Sequence, residues 1–133
     1  MSNVKVTNCN KEDLDILIEI IYEAWNYYVQ DVDKKRLNDL VAYYENSEDD
    51  SKRFLVAHEN GKVVGVAEIT LTESYRCEGE EAHLELLYIR DEVENYYDVH
   101  KEIMDTIFKI LQDEDIEMLR VDTTLENSEI VFI

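Results

Sequence analysis

Two carboxylates and a histidine stand where apolar, strand-like runs would hold them still. Glu85 lies in His83-Leu84-Glu85-Leu86-Leu87-Tyr88-Ile89, flanked by two leucines that would strip water from it. Glu68 lies in the preceding run, Val63 to Leu71, which is long and rich in β-branched residues. A carboxylate held in this way can act as a general base, with His83 as a proton shuttle. Glu85 is the first candidate for that base and Glu68 the second. The competing reading makes Glu85 a solvent-facing residue of a half-buried sheet and His83 a surface histidine.

These residues need a strand to carry them, and the segment after it shows what the strand belongs to. A charged connector, Arg90 to Asp98, leads into Val99, Ile103, Met104, Ile107, Phe108 and Leu111 at helical spacing. That periodicity predicts a helix over residues 98–112. Strand, loop and helix in this order make half of a βαβ unit. The N-terminus of such a helix presents unsatisfied N–H groups and a positive dipole end, the usual seat of a phosphate. Here it is entered through Glu94 and Asp98, which repel one.

The rest of the chain supplies the other elements. Val4 to Thr7 alternates as a short strand. Asn10 is placed to cap a helix carrying Leu14, Leu17, Ile21, Ala24, Trp25 and Tyr28 on one face, with Glu12 and Asp13 in its first turn. Trp25, Tyr27 and Tyr28 are read as packing, with a pocket wall as the alternative. Asp33 is placed to cap a second helix with Leu37, Leu40, Val41 and Tyr44. Arg53 to His58 reads as a strand, and Asn60-Gly61 after it is a strong hairpin signal. Val63 to Leu71 is its partner, Thr72 to Glu81 a polar loop, and Met118 to Asp122 one more strand. The order is β-α-α-β-β-β-α-β: an antiparallel meander, then a right-handed parallel crossover, giving a mixed sheet of about five strands with helices on both faces.

The 133 residues suffice for one domain with a true core, taken as residues 1–133. Formal charge is −19, from 32 acidic and 13 basic residues. Residues 1–66 hold 8 basic and 13 acidic residues (8 − 13 = −5), and residues 67–133 hold 5 and 19 (5 − 19 = −14). Such a field disfavours nucleic acid, anionic membrane surfaces and phosphorylated ligands, and favours cations; solubility alone also accounts for it. Cys9 and Cys77 lack the spacing of a zinc site or disulfide framework, which points to a reducing, cytoplasmic setting and no metal. No signal peptide or membrane span is expected.

Three stretches carry a family likeness. Phe54-Leu55-Val56-Ala57-His58-Glu59-Asn60-Gly61-Lys62-Val63-Val64-Gly65 resembles the hairpin of the GNAT superfamily of acetyl-CoA-dependent N-acetyltransferases. Leu84-Glu85-Leu86-Leu87-Tyr88-Ile89 resembles its central strand, and Leu119 to Asn127 its late strand with the asparagine that follows. Asp13 matches an acidic position common at the start of the first helix. The resemblance covers nearly the whole chain and implies acyl transfer from acetyl-CoA to an amine, here a small cationic amine or a basic peptide. It implies that the backbone of Leu87, Tyr88 and Ile89 contacts the pantetheine arm, with Asn127 beside it, and that the cofactor's phosphates meet Asn95, His100 and Lys101. It also supports Glu85 as the base.

The chain departs from the family in two places. The family's Gln/Arg-x-x-Gly-x-Gly/Ala loop corresponds to Glu94-Asn95-Tyr96-Tyr97-Asp98-Val99, which has no glycine and begins with an acid. Tyr97 and Val99 would crowd the phosphate cradle, Glu94 and Asp98 would repel its charge, and His100 and Lys101 compensate in part. Second, the usual terminal tyrosine helix and hairpin do not follow Asn127. That leaves the Glu117 to Asp122 strand with an open edge, from which a homodimer or larger homo-oligomer is expected. Ile130-Val131-Phe132-Ile133 would pair with a neighbour or fold back. Three functions remain open: an acetyltransferase with an atypical loop, a catalytically inactive GNAT-fold binding or regulatory module, and an assembly subunit.

Overall fold

The computed structural model describes residues 3–9, 14–28, 35, 38, 39, 42, 52–73, 79–90, 92–122 and 128–132. Six strands form one sheet in the order β1 (Val4–Asn8), β2 (Lys52–Glu59), β3 (Lys62–Glu73), β4 (Glu80–Ile89), β5 (Met118–Asp122) and β6 (Ser128–Phe132). Neighbours are antiparallel except β4 and β5, which are parallel. Helix α1 (Leu14–Tyr28) lies on one face and α2 (Tyr96–Asp113) on the other. The mixed sheet with helices on both faces agrees with the reading of the sequence. The caps expected at Asn10 and Asp33 and the first-turn acids Glu12 and Asp13 lie outside the described residues, as does most of the proposed second helix. Within that second helix Lys35, Asn38, Asp39 and Ala42 are helical and exposed.

Each helix covers its face with a regular apolar stripe. Val99, Ile103, Ile107 and Leu111 recur every four residues along α2 and are 0–1% exposed. They pack on Leu84, Ile89, Ala67 and Ile69 of the sheet. Leu17, Ile20, Ile21 and Ala24 of α1 pack on Phe54, Val56, Val66 and Tyr88. Removing each such aliphatic side chain from water contributes about 1.5–3 kcal/mol. Gly65 makes the α2 contact possible. A Cβ built there would sit 3.0 Å from the Tyr88 carbonyl oxygen and 3.3 Å from Ile103 Cδ1.

Asn60 and Gly61 both adopt positive φ, 53° and 81°, the backbone that a two-residue hairpin requires. Three boundaries differ from expectation. β3 extends to Glu73 and β4 begins at Glu80, so Thr72 and Glu81 are strand residues rather than loop. Glu81 is 5% exposed and its carboxylate accepts a hydrogen bond from Arg120 Nη2 at 2.9 Å, a pair across the β4–β5 step. The third concerns the chain end. β6 pairs antiparallel with β5, Met118 opposite Phe132 and Asp122 opposite Ser128. The edge of β5 is therefore covered within the chain, and the open edge from which a homo-oligomer was expected is not there.

Beyond the end of α2, Glu114 is held by a two-armed contact from Arg53 of β2, with Nη2 donating to Oε1 at 2.6 Å and Nη1 to Oε2. That hydrogen bonding lowers the Glu114 carboxyl below its ordinary value of 4.5. A carboxyl lowered in the folded state adds stability above its unfolded value and loses it as pH falls through the folded value. Unfolding free energy followed by denaturant titration should show this contribution intact above pH 4.5 and declining below it. Glu114→Gln should flatten that part of the acid limb; an unchanged limb would mean that the pair does not persist in solution.

Candidate functional site

The face of the sheet beneath α1 changes character along its length. Strand alternation puts Lys52 of β2, Glu68 and Thr70 of β3, and Glu81 and His83 of β4 on this face, beyond the apolar patch that α1 covers. A bulge adds Glu85 to the group. Glu68 is opposite Leu86 and Ile69 opposite Leu84, so Glu85 is the extra residue between them. The insertion turns Glu85 to the same face as His83 and Leu86, a common use of a bulge. The structure thus brings Glu68, His83 and Glu85, the three residues expected to handle protons, onto one face of adjacent strands.

Their local partners are specific. His83 Nδ1 lies 3.0 Å from Glu85 Oε1. The Glu85 side chain is 39% accessible, so Leu84 and Leu86 do not strip it of water as the sequence suggested. Leu84 faces the α2 side instead. Glu68 is more enclosed, 13% accessible, and accepts a hydrogen bond from Lys52 Nζ at 2.8 Å. The Glu81–Arg120 pair borders the group, and His83 is in register with Arg120. Three carboxylates against Lys52 and Arg120 leave the face acidic on balance. Neither Lys52 nor Arg120 was singled out in the sequence. Their partners are 16 and 39 residues away, and no local pattern announces such pairs.

Next to this face, among the described residues, β4 runs on past its pairing with β5. The last β4–β5 register pair is Leu84 with Val121, yet β4 continues to Ile89. Leu87 and Ile89 turn toward α2, and Tyr88 is buried toward α1. Asn127 lies outside the described residues.

The entry to α2 does not form a phosphate cradle. Asn95 is the N-cap residue, but its side chain makes no cap; Nδ2 donates to Glu59 Oε2 instead. Its carbonyl already accepts from the N–H groups of Asp98 at 3.0 Å and Val99 at 3.1 Å. Lys101 Nζ donates to Asp105 at 2.8 Å, and this bond, first among several acidic influences, raises its pKa. His100 stacks on Tyr96, ring centroids 6.3 Å apart. Of the three residues expected to meet phosphate, Asn95 and Lys101 therefore give their polar groups to carboxylates, and His100 lies against a tyrosine ring. Glu94 and Asp98 are exposed at the same turn. One expectation is corrected: Val99 crowds nothing there, because it is wholly buried under the helix. A like charge a few ångströms from a phosphate costs on the order of 1–4 kcal/mol at partly exposed sites. The residues present do not fit the pyrophosphate of acyl-CoA.

Among the described residues no group of histidine, cysteine, aspartate and glutamate is arranged to hold a metal ion. No helix among them is long and apolar enough to cross a membrane.

No family sequence model matches the chain, and no curated protein matches it by sequence. Solved structures do match by fold. A GNAT family acetyltransferase from Staphylococcus aureus superposes with a TM-score of 0.76 over 96% of this chain and 90% of its own, at 13% identity. A predicted acetyltransferase from Clostridium acetobutylicum, solved with acetyl-CoA, gives 0.73 over 92% and 82%, at 14% identity. An aminoglycoside acetyltransferase from an uncultured soil metagenomic sample, in complex with sisomicin, gives 0.73 over 92% and 79%, at 16% identity. At this identity the likeness is one of architecture, and it agrees with the strand order, the parallel β4–β5 step and the helix on each face: the chain has the GNAT acetyltransferase fold.

Proposed function

We propose that this is a GNAT-fold, acyltransferase-like protein that receives a cationic amine on the acidic sheet face and has lost its grip on the nucleotide end of acyl-CoA. The observation that carries the reading is the convergence of Glu68, Glu85 and His83 on one face through the β4 bulge. The carboxylates attract an ammonium group. Glu85, positioned by His83 at 3.0 Å, is the acceptor for its proton, and Glu68 orients the cation from the neighbouring strand. Lys52 holds Glu68 in place and would be displaced, or would share the carboxylate, when an amine arrives. An acyl thioester is then a substrate met through its pantetheine arm alongside Leu87, Tyr88 and Ile89. It is not a cofactor anchored by its phosphates. The soil aminoglycoside acetyltransferase, solved with sisomicin, supports an amine as the acceptor class.

A second reading, a binding module without transfer, draws on the loop itself, where Asn95, His100 and Lys101 all have other partners.

The two readings separate in one assay. Acetyl transfer to a polyamine is measured with acetyl-CoA and with S-acetylpantetheine as donors. The proposal expects transfer with kcat/KM for the two donors within about threefold, because the nucleotide adds no binding energy. Glu85→Gln should lower kcat by about 10²–10⁴ while KM for the donor holds. Absence of transfer from both donors would favour the binding module. A tenfold or greater preference for acetyl-CoA would show that the loop does hold phosphate.

A further inference from the structure

Tyr97 and Tyr96 at the start of α2 are 86% and 48% exposed, the two highest values among the exposed large hydrophobic side chains of the described residues. Both stand on the first helical turn, so the backbone fixes where they project. Their rings meet edge to face, centroids 5.8 Å apart and planes at 88°, forming a corner. His100 stacks on Tyr96 with planes 26° apart and covers part of it, which leaves Tyr97 as the open platform. Glu94 and Asp98 flank the pair in sequence and are exposed. Lys101, the nearest lysine along the helix, gives its hydrogen bond to Asp105 and feels Asp98 only as a lesser charge, so the acidic character of the turn is reduced and not cancelled.

An aromatic face carries negative electrostatic potential, so a platform beside two carboxylates attracts a cation twice over. A guanidinium suits it better than an ammonium, because its plane stacks on a ring while its N–H fork engages a carboxylate. The net charge of −14 across residues 67–133, 5 basic against 19 acidic, draws basic partners toward this half of the chain. We propose that the Tyr96–Tyr97 corner, with Glu94 and Asp98, docks an arginine of a basic protein segment. This goes beyond the amine site on the sheet face and does not rest on it.

The test titrates the full chain with a blocked Arg-Gly repeat peptide and with its citrulline counterpart, following heat and the tyrosine ring signals by NMR. The arginine peptide should bind and shift the Tyr97 resonances; the citrulline peptide should not. Tyr97→Ala leaves net charge unchanged and should weaken binding about fivefold. Glu94→Gln with Asp98→Asn should weaken it at least as much and reduce its salt sensitivity. The same charge removed at the far end of α2, by Asp113→Asn with Asp115→Asn, should change binding less than about twofold, since that end lies beyond a Debye length. Glu85→Gln should leave peptide binding intact, so failure of the sheet-face reading would not be mistaken for failure here. Equal losses from the near and far acidic pairs, or no loss in Tyr97→Ala, would overturn the proposal and leave only the general acidic field. A free tetramethylammonium ion binding as tightly as the peptide would also overturn it, in favour of a small-cation site.

Discussion

Replacing Ile107 with alanine is expected to cost about 2–5 kcal/mol of folding free energy. Ile107 is 0% exposed and stands in the middle of the stripe by which α2 covers the sheet. Its neighbours on the stripe, Ile103 and Leu111, are equally enclosed, and beneath it lie β3 and β4. Truncation removes three carbons from a packed site whose walls are a helix and a sheet, neither free to collapse into the gap. At roughly 3–4 °C per kcal/mol for a chain of this size, the melting temperature should fall by about 6–20 °C. Ile16→Ala on α1 is the matched control: its side chain is 42% exposed, and its loss should cost under about 1 kcal/mol. A loss of less than 1 kcal/mol at Ile107 would mean that α2 does not pack on the sheet as described.

The second large effect is expected at Arg120. Glu81 is 5% exposed, and the Arg120 guanidinium donates to it at 2.9 Å from the next strand. Arg120→Met keeps most of the aliphatic stem and removes the charge from beside an enclosed carboxylate. Taking one partner from a buried pair costs about 3–5 kcal/mol. The low end applies here, because the Arg120 side chain is 30% accessible. Its Nε is buried and has no hydrogen-bond partner among the described residues, so the arginine itself is imperfectly satisfied. Replacing both members, Arg120→Met with Glu81→Leu, should therefore recover much of the loss. A double-mutant cycle by denaturant unfolding measures the coupling. Coupling near zero would show that the β4–β5 step is held by its backbone ladder and apolar contacts alone.

How legible this was in the sequence depended on how local each cause is. The turn at Asn60-Gly61 is written in two adjacent residues that tolerate positive φ, and both adopt it. The α2 stripe was legible because Val99, Ile103, Ile107 and Leu111 repeat at one helical interval. The burial of Val99 follows from that same interval, although its place in the loop pattern suggested a role in crowding the cradle. The Glu85 bulge was not legible, since a bulge is a property of how two strands align and neither β3 nor β4 announces it alone. Glu81 reads as loop in the sequence because it follows Glu78-Gly79-Glu80. Its burial becomes intelligible only with Arg120 beside it, 39 residues later. The place of β6 is not legible, because Ile130-Val131-Phe132-Ile133 has no alternation to say which face it covers. The register with β5 makes it the strand that closes the edge. In the loop, residue types indicated the loss of a phosphate cradle. That Asn95 is held by Glu59, and Lys101 by Asp105, required the fold.

Direct titration with acetyl-CoA shows whether the chain has lost its grip on the nucleotide while keeping the fold and the acidic amine face. Isothermal titration of the full chain at moderate salt should give a dissociation constant weaker than ~10 μM, above about −7 kcal/mol. Glu94→Arg with Tyr97→Gly, which restores a cation and bare backbone at the α2 entry, should tighten binding at least tenfold. A dissociation constant below ~10 μM in the unaltered protein would contradict loss of the nucleotide grip, and so would two substitutions that leave binding unchanged.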